Sequence, residues 1–229
     1  MIIKTVHDIF YNLLDKERSG FIPHEKADEL LHLSQMSYFS FLLGNLKRYP
    51  NGNQHLDTNQ VRERLDPFRK RVQFLNVPVD NFNEFGILPD GLLTLPSDFE
   101  AISAVMSYDD GKEYAIEVLD PEEWPARSSS DLLAPDVTCA IARMNGGNSL
   151  KFLPKDLTGY VEYYRTPKTP LFYYTLNGRV ETHNASLSQD LEWNTVASMD
   201  IIKRALLLAG VKVDDTLLYQ AAAVEESKE

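Results

Sequence analysis

The hydrophobic period changes twice along the 229-residue chain, and that change restricts the folds open to it. Apolar residues recur at helical spacing in the first third, alternate from about Phe82, and return to helical spacing near Leu191. Helices at both ends around a stretch of short alternating segments predict an α+β fold: N-terminal helices, a central antiparallel β module that is a small sandwich or barrel, and C-terminal helices. The corresponding divisions are 1–78, 79–190 and 191–229, the last packing with the N-terminal helices.

Local signals set the elements. Ile9, Phe10, Leu13 and Leu14 form one stripe from His7 to Glu17, ended by Ser19-Gly20. Pro23 suits the first turn of a second helix that is expected to stop at Gly44. Its first half carries a stripe through Ala27, Leu30, Leu31 and Leu33. Its second half, with Tyr38, Phe39, Phe41, Leu42 and Leu43, is apolar nearly all round and calls for neighbours on more than one side. Asp57 caps a third helix through Val61 and Leu65, which Pro67 ends or kinks.

Strands are expected at Leu92–Leu95, at Ala101–Tyr108 paired with Glu113–Leu119 across Asp109-Asp110-Gly111, and at Val137–Met144 paired with Leu150–Leu153. Further strands fall at Tyr160–Arg165, Leu171–Thr175 and Arg179–Glu181. Asp120-Pro121 reads as a helix start, followed by a polar loop over 125–136. A helix opening near Thr195 runs to Gly210, and Asp214 caps a last one.

Composition excludes several functions. With 43% hydrophobic residues the chain can fill a core. No apolar run approaches the roughly 20 residues of a membrane span, so no membrane anchor is expected, and the protein is expected to be soluble and made in the cytoplasm. A net charge of -11 denies it the positive field of a non-specific nucleic-acid binder. That charge is uneven: residues 1–78 hold 11 basic and 9 acidic side chains, residues 79–229 hold 12 and 25.

Chemical motifs are weak throughout. Asp15, Glu17, Ser19 and Gly20 imitate a calcium loop, but Lys26 stands where a bidentate Glu must complete the shell. His24, Asp28 and His32 share a helical face that reads as an exposed polar stripe, with no fourth ligand for a metal. Glu122-Glu123 and Asp109-Asp110 serve caps and turns. Cys139, the single cysteine, reads as a small buried thiol in a strand. No phosphate loop or nucleophile elbow is present. The expectation is therefore a protein that is not an enzyme, with no metal and no cofactor. Arg62, Arg64, Arg69, Lys70 and Arg71 form the one dense basic segment, suited to phosphate contact or to salt bridges with a neighbouring subunit or domain.

Several strings occur in an order that carries a resemblance. LLDKERSGFIPHE over 13–25, LSQMSYF over 33–39, Leu65-Asp-Pro-Phe, Leu95-Pro-Ser-Asp-Phe, Leu153-Pro-Lys-Asp-Leu, Tyr164-Arg-Thr-Pro-Lys-Thr-Pro, Leu191-Glu-Trp and the run from Ile202 to Val211 together resemble small structural proteins of crAss-like bacteriophages of Bacteroidetes. Those proteins have an Asn-Lys-x-Gln-x-Gly stretch before Pro-x-Glu; Asp15 here stands in place of the Asn.

The resemblance implies a virion structural protein of the head-to-tail connector, a subunit of a closed ring beneath the portal that helps build the barrel of a short tail. Implied partners are further copies of itself, with the portal's twelvefold symmetry, the portal protein, adjoining tail rings, and genomic DNA in transient passage. The alternatives are another virion ring, stopper or fibre-anchoring component, and, in a different class, a non-viral carbohydrate-binding β module. A closed ring needs two different complementary surfaces per subunit. Candidate subunit or portal interface residues are Tyr38, Phe41, Arg62, Arg69, Arg71, Trp124, Tyr163 and Tyr173.

Overall fold

The computed structural model describes residues 1–16, 22–48, 58–74, 91–130, 134–178 and 180–210. The fold is α+β, and the chain divides into two compact units: residues 1–67 with 167–229, and residues 68–166. These boundaries differ from 78/79 and 190/191 for a concrete reason. Residues 69–74, read from sequence as part of the helical region, form a strand of the β unit, and the 174–183 hairpin belongs with the helices.

The helical unit contains α1 (Ile3–Lys16), α2 (His24–Arg48), α3 (Thr58–Leu65), the hairpin β9 (Tyr174–Asn177) and β10 (Val180–His183), and α5 (Thr195–Leu208). The first turn of α1 is capped from afar, the Asp190 carboxylate accepting the Ile3 N–H at 2.8 Å. Ile3, Val6, Phe10, Leu13 and Leu14 are buried, and so is His7 on the same face. The Pro23 carbonyl accepts the N–H groups of Lys26 and Ala27, so Pro23 lies just before α2. The helix continues through Gly44 to Arg48 and does not stop there; Gly44 keeps a negative φ and nothing crowds it. Tyr38, Phe39 and Leu42 are buried but Leu33 is 58% and Phe41 46% exposed, so α2 keeps one buried face instead of being surrounded. Asn194 caps α5, accepting the Ala197 N–H, and α5 packs on α2 and α1 through Ala197, Met199, Ile201, Ile202, Ala205 and Leu206. The expected last helix from Asp214, the Asp57 cap and the loop at 17–21 lie outside the described residues.

The β unit is built from two four-stranded sheets over one core. The first has the order β1 (Arg69–Phe74), β8 (Gly159–Arg165), β3 (Phe99–Asp109), β4 (Lys112–Ala115). The second has the order β2 (Leu92–Thr94), β7 (Ser149–Leu153), β6 (Ile141–Met144), β5 (Glu117–Leu119). Phe74, Val105 and Val161 of one sheet and Leu93, Ala142, Leu150 and Phe152 of the other share a buried cluster, which makes the unit a small sandwich. Asp110 and Gly111, at φ 47° and 75°, form the two-residue hairpin turn between β3 and β4. The strand expected through Leu119 breaks at Ile116. Its N–H bonds Val105 while the Glu117 N–H bonds Ala140, so the chain changes sheets there. The sheet is also not wholly antiparallel, since β5 runs parallel to β6.

The outer side of the second sheet is covered by α4 (Trp124–Ser128), where Trp124 packs on Leu119, Ile141 and Leu153. This helix occupies part of the expected polar loop, and its initial proline is Pro125, not Pro121. Cys139 is exposed and not in a strand. The Asp136 carboxylate accepts the backbone N–H groups of Thr138 and Cys139 and bends the chain before β6 begins.

Asp98 joins β1 to β8 within this unit. It accepts Lys70 Nζ at 2.6 Å and the Tyr163 hydroxyl at 3.0 Å. Partial burial pushes the Asp98 carboxyl up, but the bonds from Lys70 and Tyr163 outweigh it and hold the group below the usual range. A depressed carboxylate stabilises the fold above its unfolded pKa and loses that contribution as pH falls through the folded value. Asp98→Asn is expected to remove about 0.5 to 1 kcal/mol at pH 7 and to flatten the acid limb below about pH 4 in thermal melts.

Candidate functional site

The expected interface residues separate into two sets by burial. Tyr38 is 2% exposed; its hydroxyl is held by Arg64 and by Asp200 at 3.3 Å, and its ring meets Trp193 edge-on at 5.2 Å. Tyr163 is 1% exposed, and burial together with the Asp98 carboxylate pushes its phenol up to about 12. Trp124 is 7% exposed under the Arg143 guanidinium. These three side chains are internal supports and are not available to another subunit.

Arg71 pairs with Glu162 at 2.7 Å and lies 4.0 Å over the Tyr160 ring, and Arg64 reaches Asp200 at 3.3 Å. The salt bridges that Arg64, Lys70 and Arg71 form thus lie inside their own units. Arg62 and Arg69 are exposed on α3 and β1. Phe41, with Arg204 at 5.4 Å over its ring, and Tyr173, 40% exposed, remain on the surface.

Tyr173 belongs to a feature that its sequence neighbours only hinted at. In the helical unit, a groove of about 610 Å³ runs between α2 and the 169–176 segment, lined on one side by Glu25, Asp28, Glu29 and His32 and on the other by Leu171, Phe172, Tyr173, Tyr174 and Leu176. Leu171 is 46%, Leu176 65%, Val180 65% and Leu187 55% exposed. In β9–β10 Leu176 stands opposite Glu181, and Val180 opposite Asn177. Adjacent positions alternate between faces, so the two apolar side chains project from opposite faces of a two-stranded ribbon. Gly178, at φ 69°, turns its tip.

A stack of aromatic rings fastens this segment to α1 and α2. Phe172 lies against His7 at 4.5 Å, His24 at 4.8 Å and His183 at 4.8 Å. The Phe172 N–H donates to Asp28 Oδ2 at 2.9 Å, and the other oxygen of Asp28 is 2.8 Å from His7 Nε2. Asp28 is therefore buried and doubly engaged, not part of an exposed stripe. The Tyr174 hydroxyl donates to Glu25 at 3.2 Å, and the Glu25 charge, with Glu181 beyond it, pushes that phenol up. Among the described residues, no group of three or more His, Cys, Asp or Glu side chains is placed to hold a metal ion.

The residues of the groove, the ring stack and the ribbon outside the sequence-based set had faint signals. His7 is spaced four from Ile3, three from Phe10 and seven from Leu14, which places an imidazole on a buried face. Phe172 and Val180 fell in the expected strands Leu171–Thr175 and Arg179–Glu181, and Leu176 fell between them, but nothing in the pattern separated an exposed ribbon from a covered one. No helix of the described residues is long and apolar enough to cross a membrane. No protein-family model matches the chain, and no curated protein matches it.

Proposed function

We propose that the protein is a structural subunit that assembles into a closed ring, the head-to-tail connector of a bacteriophage virion, through whose lumen genomic DNA passes. The observation that carries this reading is the β9–β10 ribbon with Leu176 and Val180 each 65% exposed beside an apolar groove. A two-stranded ribbon is marginal by itself, and apolar side chains on both of its faces gain most when a second surface covers them. A second copy of the chain supplies such a surface if one subunit's ribbon packs on a different patch of the next, the head-to-tail geometry that closes into a ring. Val196 and Leu207, eleven residues and so about three turns apart on one stripe of α5, are 52% and 50% exposed and form a candidate patch. The net charge of -11 suits a wall that lets DNA slide without adhering. The similarity in motif order to connector proteins of crAss-like phages supports the same setting, including contact with the portal and adjoining rings.

Sedimentation of the full chain tests the reading. The doubly substituted Leu176→Asp, Val180→Asp protein, altered only at exposed positions, is expected to keep its fold but to associate roughly 100-fold more weakly, about 2.8 kcal/mol. Association unchanged by both substitutions would remove the ribbon from the interface. A wild-type monomer that retains oligosaccharides would instead favour a carbohydrate-binding module.

A further inference from the structure

Behind the groove, two imidazoles from different helices meet nitrogen to nitrogen. His7 Nδ1 lies 3.2 Å from His24 Nδ1, and the remaining nitrogen of each ring faces a carboxylate: His7 Nε2 is 2.8 Å from Asp28 Oδ1, and His24 Nε2 is 3.0 Å from Glu181 Oε2. The line runs carboxylate, imidazole, imidazole, carboxylate, and each of its three contacts requires one proton. Two neutral imidazoles carry two N–H groups between them. The arrangement therefore asks for three protons where neutral rings supply two.

We propose that His7 and His24 hold one additional proton in common, and that this proton ties β10 to α2 through Glu181. The surrounding groups favour a positive charge at this place. From α2 come Asp28 and Glu25, from β10 Glu181, and from β9 Tyr174, whose hydroxyl is engaged with Glu25. Tyr11 of α1 meets His24 edge-on at 5.1 Å and donates its hydroxyl to the Ile22 carbonyl. Burial first, then the charges of Asp28, Glu181 and Glu25, push the Tyr11 phenol upward, which reports the negative field that the pair also feels. Lys26, the basic side chain of this turn of α2, is directed to Glu29 at 2.5 Å. His183 of β10 stacks on Phe172 and meets the Ser188 hydroxyl at 3.0 Å.

When the shared proton leaves, one of the three contacts must place a lone pair against a lone pair or against a carboxylate oxygen. Asp28 is buried and held by the Phe172 N–H, so it does not move away. The Glu181 side chain is 49% exposed and can turn to water. The neutral pair thus keeps the Asp28 and Nδ1–Nδ1 hydrogen bonds and releases Glu181, freeing β10 from α2. The device requires no second subunit, so its failure and the failure of ring assembly are separately visible.

Long-range ¹H–¹⁵N spectra of the imidazole nitrogens in the full chain, recorded from about pH 5 to 9, test it. One step is expected, seen at both rings with a common midpoint, accompanied by loss of the proton on His24 Nε2. Hydrogen exchange of the β9–β10 amides, corrected for the intrinsic pH dependence, is expected to rise roughly tenfold across that step. Glu181→Gln, at an exposed strand position that leaves the core intact, offers a side chain that can pair with His24 Nε2 whether or not it carries a proton, and is expected to abolish that rise in exchange. Separate steps for the two rings, or a rise in exchange that persists unchanged in Glu181→Gln, would overturn the proposal.

Discussion

Gly159→Ala is expected to disable the β unit. A Cβ at this position would lie 1.9 Å from the Met106 carbonyl oxygen and 2.9 Å from Phe74 Cζ. The first of these neighbours is backbone of β3, so no side-chain rotation relieves the clash. Gly159 opens β8, which lies between β1 and β3 and pairs there with Phe74 and Ser107. Adding one methyl separates β8 from β3 beside the shared core. Overpacking of a well-filled site ordinarily costs about 1–3 kcal/mol, and a backbone clash of this depth places the substitution at about 3 kcal/mol or more. That is a large part of the roughly 5–15 kcal/mol that stabilises a domain. Urea unfolding followed by far-ultraviolet circular dichroism should show a strongly lowered midpoint, whereas an unchanged midpoint would contradict the β8–β3 register.

Trp193→Ala is expected to have a comparable effect on the helical unit. Trp193 is 2% exposed, lies edge-on to Tyr38 at 5.2 Å and Phe39 at 6.3 Å, and donates its indole N–H to Gln35 Oε1 at 3.3 Å. Gln35 in turn donates to the Lys168 carbonyl at 2.8 Å, so one side chain of α2 joins two separate stretches of the returning chain. Truncation leaves a cavity and an unpaired buried amide oxygen. Loss of about 3–5 kcal/mol is the ordinary cost of removing so large a buried side chain, its burial and the cavity it leaves taken together. Trp193→Phe fills much of the space but not the hydrogen bond, and should lose about 1–3 kcal/mol. Calorimetric melts of the two variants separate packing from hydrogen bonding. A Trp193→Phe melt indistinguishable from that of the wild type would show that the Gln35 contact carries no weight.

Both sites illustrate what periodicity reveals and what it conceals. The α+β class, the helices at the two ends and most strands follow from spacing, because a buried face imposes its period on the sequence. The division into units did not follow. Arg69, Lys70 and Arg71 look like the end of a basic helical segment, yet they form β1, whose pairing with β8 depends on residues some ninety positions away. This placement also changes the meaning of the charge. Counted by unit, the helical part holds 14 basic and 18 acidic residues and the β part 9 and 16, so both are acidic. The basic β1 side chains Lys70 and Arg71 are answered within their own unit by Asp98 and Glu162.

The candidate site was less legible than the fold. Aromatic residues were expected at interfaces, but the same preference holds for cores, and Tyr38, Trp124 and Tyr163 are core. Val180 passed as an ordinary strand residue, and Leu176 lay just beyond the expected Leu171–Thr175 strand, whereas β9 runs from Tyr174 to Asn177; alternation marks a strand and says nothing about what covers it. The His7–His24 contact joins residues seventeen positions apart across a helix connection, and their rings meet where both stack on Phe172, a residue from a distant stretch of the chain.

Electron microscopy of the purified full chain at about 50 μM, a concentration at which an interface of ordinary size is well populated, tests the central claim most directly. Closed rings of a single rotational symmetry, lost in the Leu176→Asp, Val180→Asp variant, are the predicted result. Uniform monomers of the wild-type chain at that concentration would contradict it.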